Sequence, residues 1–147
     1  YFPNSYSKDI NCFTKKDLEF ELIKYAHNTW SRNNDNVRLG SLGSGDHIYP
    51  INSTGFSYKK INEITWCCFT SQYKGDSPEI VYATPISKNH IVVNIFSLEA
   101  HGSYQFYSSE TNLEKTSYDV MHDFMNKYQI ELSPRSVSER SEVDDPI

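Results

Sequence analysis

Glu63-Ile-Thr-Trp-Cys-Cys-Phe-Thr70 is the stretch that decides the fold. With Glu79-Ile-Val-Tyr-Ala83, Ile91-Val-Val-Asn-Ile-Phe-Ser-Leu98 and Ser103-Tyr-Gln-Phe-Tyr-Ser108 it forms a series of short runs rich in β-branched and aromatic residues. Gly, Pro, Asn, Asp, Ser and Lys separate the runs, as in Tyr73-Lys-Gly-Asp-Ser-Pro78. At about one run per dozen residues, this predicts an antiparallel meander with tight connections. Such a sheet needs cover for an apolar face, and the rest of the chain is placed by asking what supplies it.

The N-terminal side supplies one helix. Thr14 is a capping residue with Asp17 three positions on, a short form of the capping box. Leu18, Leu22, Ala26 and Trp30 then share one face, with Ile23 beside them, which predicts a helix over residues 15–31 lying across the sheet. Residues 9–13 alternate weakly, as an edge strand would. Residues 33–46 are rich in Asn, Asp, Gly and Ser and predict a loop. Its Gly40-Ser-Leu-Gly-Ser-Gly45 follows a helix and lacks a Lys-Ser/Thr ending, so it makes a poor phosphate cradle. His47-Ile-Tyr-Pro-Ile51 predicts a short strand near an edge, because Pro50 cannot donate to a ladder. Gly55-Phe56 marks a turn before the Glu63 strand.

After the meander, Ser117 is a candidate cap for a second helix with Val120, Met121, Phe124, Met125 and Tyr128 as its apolar stripe. The predicted class is α+β, one N-terminal helix packed on a twisted antiparallel β-sheet. Residues 1–110 form the domain, residues 111–132 a helical extension packed on it, and residues 133–147 a tail of Ser, Glu, Arg and Asp that is disordered or pinned only by a partner.

At 147 residues the chain suffices for one domain with its own core. Its 14% aromatic content, including 11 Tyr, suits a β-rich protein. A net charge of −5 argues against a general polyanion binder, since phosphate contacts need clustered Lys and Arg. No apolar run reaches the roughly 18 residues of a membrane-spanning helix. The sequence begins at Tyr1 and not at Met, as either a fragment or a mature form whose leader has been removed would. If the chain is secreted, Asn52-Ser53-Thr54 is a glycosylation acceptor.

With 3 Cys at least one is unpaired within the chain. Cys67 and Cys68 are adjacent and point to opposite faces of a strand. They make neither a zinc spacing nor a redox CxxC, and no metal site or cofactor is expected. His27 and Glu21 do not form HExxH, and neither GxSxG nor a Walker motif occurs.

Alternation assigns Trp66, Val81, Ala83, Phe96, Leu98, Tyr104 and Phe106 to the core under the helix. The opposite face then collects Glu63, Tyr82, Ser97 and Gln105, with His47 and Tyr49 from the earlier strand. A polar face with a carboxylate and a histidine is suited to acid–base chemistry. A Glu on a solvated strand face is more often only a surface group. Lys59-Lys60 with Lys74 makes a local basic patch able to hold a few phosphates.

The order of helix, Gly-rich loop, Tyr49-Pro50 strand, Gly55-Phe56, Glu63 strand and Tyr73-Lys-Gly-Asp-Ser-Pro78 resembles the small guanyl-specific fungal ribonucleases over residues 12–108. Those enzymes carry Tyr-Pro-His-x-Tyr, a Gly-Phe turn, a catalytic Glu opening the next strand, and Tyr-x-Gly-Gly-Ser-Pro. The resemblance implies that Tyr49 and Glu63 keep the family's residues. Ile51 stands where the family has His, Tyr82 where it has a phosphate-binding Arg, and Ser97 where it has the acid His. Tyr49, Glu63, Tyr82 and Ser97 are therefore expected to be vestigial.

A ribonuclease fold emptied of its catalytic residues resembles the RNase-like effectors secreted by powdery mildew fungi. That likeness implies an avirulence-type effector, secreted and translocated into the host cell. It would be a non-enzyme and a monomer that binds a host plant protein or an immune receptor, with weak RNA binding and no membrane contact. Binding is expected at Lys59, Lys60, Tyr73, Lys74 and Asp76. The family's hallmark disulfide would join Cys12 to a position near Ser108, which is not Cys, so at least one free thiol is expected. The alternative is an active small secreted ribonuclease using Glu63 with His47 or His101.

Overall fold

A computed structural model describes residues 10–30, 36–37, 46–73, 78–97 and 113–147. The class is α+β. Helix α1 spans Lys15–Trp30, followed by strands β1 (Asn36–Val37), β2 (Asp46–Ile48), β3 (Ser57–Ile61), β4 (Ile64–Tyr73), β5 (Glu79–Ser87) and β6 (His90–Ser97). Helices α2 (Leu113–Lys127) and α3 (Pro134–Ser141) close the chain. The expected strand at residues 103–108 and the Gly-rich loop lie outside the described residues.

Strand β4 is the axis of the sheet. Its middle, Trp66-Cys67-Cys68-Phe69, is buried at every position, so both faces are covered and the run holds no Gly or Pro to weaken it. Strand β5 pairs antiparallel along one edge, with Cys67 opposite Ala83 and Phe69 opposite Val81, and β6 pairs antiparallel with β5. The other edge is shared: β3 pairs with residues 64–68, and β2 pairs with Gln72 and Tyr73. All these pairs are antiparallel; among the described residues only the short β1–β2 pair is parallel.

The sequence reading missed β3. Its Lys59-Lys60 dipeptide interrupts any apolar run, yet Tyr58 and Ile61 pack inward. Before it, Ser53–Gly55 forms a 3-10 turn capped by the Asn52 side chain. A Cβ on Gly55 would lie 2.8 Å from Cβ of Pro50, which accounts for the glycine in Gly55-Phe56.

Helix α1 forms as expected. Thr14 Oγ1 accepts from the Asp17 amide at 3.2 Å, and Asp17 reaches back to accept from the Asn11 amide at 3.0 Å. Leu18, Leu22, Ala26 and Trp30 pack with Cys67, Phe69, Val81 and Ala83. Full burial of each such aliphatic side chain contributes about 1.5–3 kcal/mol.

The opposite face is also closed, which corrects the expected core. Trp66, Cys68 and Tyr82 pack with Met121 and Met125 of α2, joined by Ile64, Ile80, Phe96 and Tyr128. Trp66 and Phe96 therefore belong to the α2 side and not to the core beneath α1. Helix α2 starts at Leu113, ahead of Ser117, and turns Met121 and Met125 inward while Val120 and Phe124 are exposed.

Two further expectations are corrected. Cys12 and Phe13 lie in a turn and not in a strand, and the Cys12 amide donates to the Lys88 carbonyl at 2.9 Å. Residues 133–147 are ordered into the fold. Ser133 caps α3 by accepting from the Ser136 amide at 3.1 Å, with Pro134 in the first turn, a strong start signal. Glu139 is buried, its carboxylate accepting from the Lys88 amide and the Arg135 guanidinium, both at 2.9 Å. Ile147 then packs against the α1-side core and donates its amide to the Phe13 carbonyl at 3.0 Å. Polar composition suggested disorder there, but each buried polar group has found a partner.

Candidate functional site

Glu63 is not on a strand face. Asn62 and Glu63 are the two central residues of the β3–β4 hairpin, with φ of 51° and 61°, as a type I′ turn requires. The Glu63 side chain is 91% exposed, and Lys60 Nζ lies 2.8 Å from its carboxylate. The hydrogen bond and charge of Lys60 hold its carboxyl below the usual carboxylate value. That is the wrong direction for a general base, which works best with a pKa near the operating pH. Asn62 Nδ2 meanwhile donates to the carbonyls of Asn126 and Tyr128, tying the hairpin to the end of α2.

His47 lies at the other end of β4, opposite Tyr73 in the register. Nine steps along an extended strand span roughly 30 Å, so β4 itself holds Glu63 and His47 apart. Tyr49 and Tyr82 are both buried, but on opposite faces: Tyr49 belongs to the α1-side core and Tyr82 to the α2-side core. Ser97 pairs in register with Glu79 at the far edge. The single polar face expected from the sequence is therefore not assembled.

What the fold does gather is a polar row at the α1-side end of the sheet. His47 Nε2 is 3.1 Å from Ser71 Oγ, and both residues are buried. Ser71 is opposite Glu79, and Glu79 is opposite Ser97. The Trp30 indole N–H donates to Glu79 at 2.6 Å, Tyr49 hydroxyl meets His27 Nδ1 at 3.2 Å, and the rings of His47 and Tyr49 cross edge-on at 5.5 Å. These bonds satisfy polar groups at the end of a core. Ser71 and Glu79 were missed in the sequence, although one more step of the Thr65, Cys67, Phe69 alternation reaches Ser71.

The basic patch is divided. Lys59 and Lys60 are neighbours on β3 and so point to opposite faces. Lys60 is engaged with Glu63, whereas Lys59 Nζ stands 5.9 Å from the centroid of the Tyr82 ring. Tyr73 ends β4. Lys74, Asp76, His101 and Gln105 lie outside the described residues.

Cys12, Cys67 and Cys68 are all free and buried. Burial pushes the Cys12 and Cys68 thiols up to about 11 and Cys67 up to about 12, which suppresses the reactive thiolate at neutral pH. Among the described residues no cluster of His, Cys, Asp or Glu could hold a metal ion, and no helix is long and apolar enough to cross a membrane. Comparison with protein-family models, with curated proteins and with solved structures finds no match.

Proposed function

We propose that this chain is a non-catalytic binding protein on a ribonuclease-like scaffold, of the secreted effector type that its sequence motifs resemble. Its action is to bind a host plant protein or immune receptor. The observation that carries the non-catalytic part is the roughly 30 Å of β4 between Glu63 and the His47 position. Cleavage of a phosphodiester needs an acid and a base within hydrogen-bond reach of the same linkage, about 3 Å. It also needs positive charge at the phosphorane, and Tyr82 stands where the resemblance expects a cation. A net charge of −5 further disfavours tight RNA binding.

Incubation with guanosine-containing RNA tests this. The expected result is no cleavage above a buffer control, with Glu63→Gln and His47→Gln indistinguishable from the parent. Cleavage abolished by either substitution would overturn the proposal and favour the ribonuclease alternative.

A further inference from the structure

Where α2 passes over β3, β4 and β5 a cleft of about 220 Å³ opens. Cys68, Tyr82 and Met121 line it and are buried. Ser57, Lys59, Phe69, Thr70 and Ile80 from the sheet and Tyr118 and His122 from α2 complete its walls. Among the described residues no carboxylate lines this cleft, in a chain with 19 Asp and Glu against 14 Lys and Arg. The acids flanking His122 are engaged elsewhere: Asp119 with Lys115 at 2.9 Å and Asp123 with Lys127 at 2.8 Å.

The chemistry of the walls is selective. Lys59 has no carboxylate partner among the described residues, and its ammonium sits near the Tyr82 ring. A cation held at an aromatic face keeps its N–H groups for an anion. Ser57 and Thr70 add hydroxyl donors. Tyr118 and His122 lie nearly parallel, 24° apart with centroids 6.4 Å from each other, and offer flat surface for a ring. The volume is below the roughly 300–1,000 Å³ of drug-sized pockets, so it suits a single ring with its charged substituent.

We propose that this cleft binds a small aromatic anion, one flat ring bearing a carboxylate or phosphate, with the charge facing Lys59. The inference stands independently of the proposed function. Calorimetric titration of the full chain with phenyl phosphate and with 4-hydroxybenzoate tests it, using phenol and inorganic phosphate as controls. At least one aromatic anion should bind more tightly than both controls, and which one binds identifies the charged group. Lys59→Gln should weaken that binding on the order of tenfold, as loss of a charge-assisted hydrogen bond does, without lowering the melting temperature. The resonances of Tyr118 and His122 should shift on binding. Failure of both aromatic anions to bind, equal binding of phenol, or undiminished binding by Lys59→Gln would overturn the proposal. So would resonance shifts confined to another region.

Discussion

The two faces of the sheet are built from different materials. Beneath α1 the core sets the short aliphatic side chains Leu18, Leu22, Ala26, Val81 and Ala83 against Trp30, Tyr49 and Phe69, and it ends in hydrogen-bonded polar groups: His47 with Ser71, Tyr49 with His27, and Trp30 with Glu79. Beneath α2 it is an aromatic and thioether core, with Trp66 edge-on to Tyr82 at 6.3 Å and to Tyr128 at 5.4 Å, and Tyr82 edge-on to Phe96 at 6.0 Å. Met121 and Met125 fill the space above these rings, as flexible thioethers do in irregular gaps. The difference teaches what each helix does: α1 covers one face of the sheet with small aliphatic side chains, and α2 covers the other with Met121 and Met125.

Breaking the aromatic face should cost most. Trp66→Ala should destabilise by about 3–5 kcal/mol and Met125→Ala by about 2–5 kcal/mol, read from urea titrations. Leu22→Ala on the other face falls within the same range as Met125→Ala, so comparable losses would place equal weight on both helices. A near-neutral Met125→Ala would mean that α2 contributes little to the core.

A smaller effect separates the sheet from α3. Bonds from the Lys88 amide and Arg135 hold the Glu139 carboxyl below its ordinary value of 4.5. A carboxyl lowered in the folded state contributes fully above that ordinary value, and its contribution is lost as pH falls through the lowered one. Stability of the parent should therefore decline below pH 4.5, and Glu139→Gln should flatten that decline. An unchanged acid limb in the variant would show that α3 is not fastened in this way.

The smallest effects belong to the edges of the comparison. Val120→Ser, at a position 64% exposed, should stay within about 0.5 kcal/mol of the parent. Glu63→Gly should hold or raise the melting temperature, because Gly occupies the left-handed region without strain. A clear loss would show that the Glu63–Lys60 ion pair outweighs the relief of backbone strain at this position.

How far the sequence carried this fold follows from the same contrast. Helix α1 was legible because one apolar stripe faces water on its other side, so its period shows. The strands β4, β5 and β6 were legible from composition and punctuation. Their faces were not, since Trp66-Cys67-Cys68-Phe69 is apolar at every position and alternation cannot choose between two buried sides. The hairpin at Asn62-Glu63 lacked the Gly that usually announces a type I′ turn, which moved Glu63 onto a strand and assembled a site the fold does not make. Residues 133–147 failed in the opposite sense: the Ser133-Pro134 start signal was present but was outweighed by polar composition.

The central claim is that α2 closes the second face of the sheet. Amide hydrogen exchange on the full chain tests it most directly, because protection reports local opening free energy. The account predicts that the Met121 and Met125 amides are protected to the same order as Trp66 and Phe69 in β4. Exchange of the α2 amides within seconds, while β4 stays protected, would contradict it.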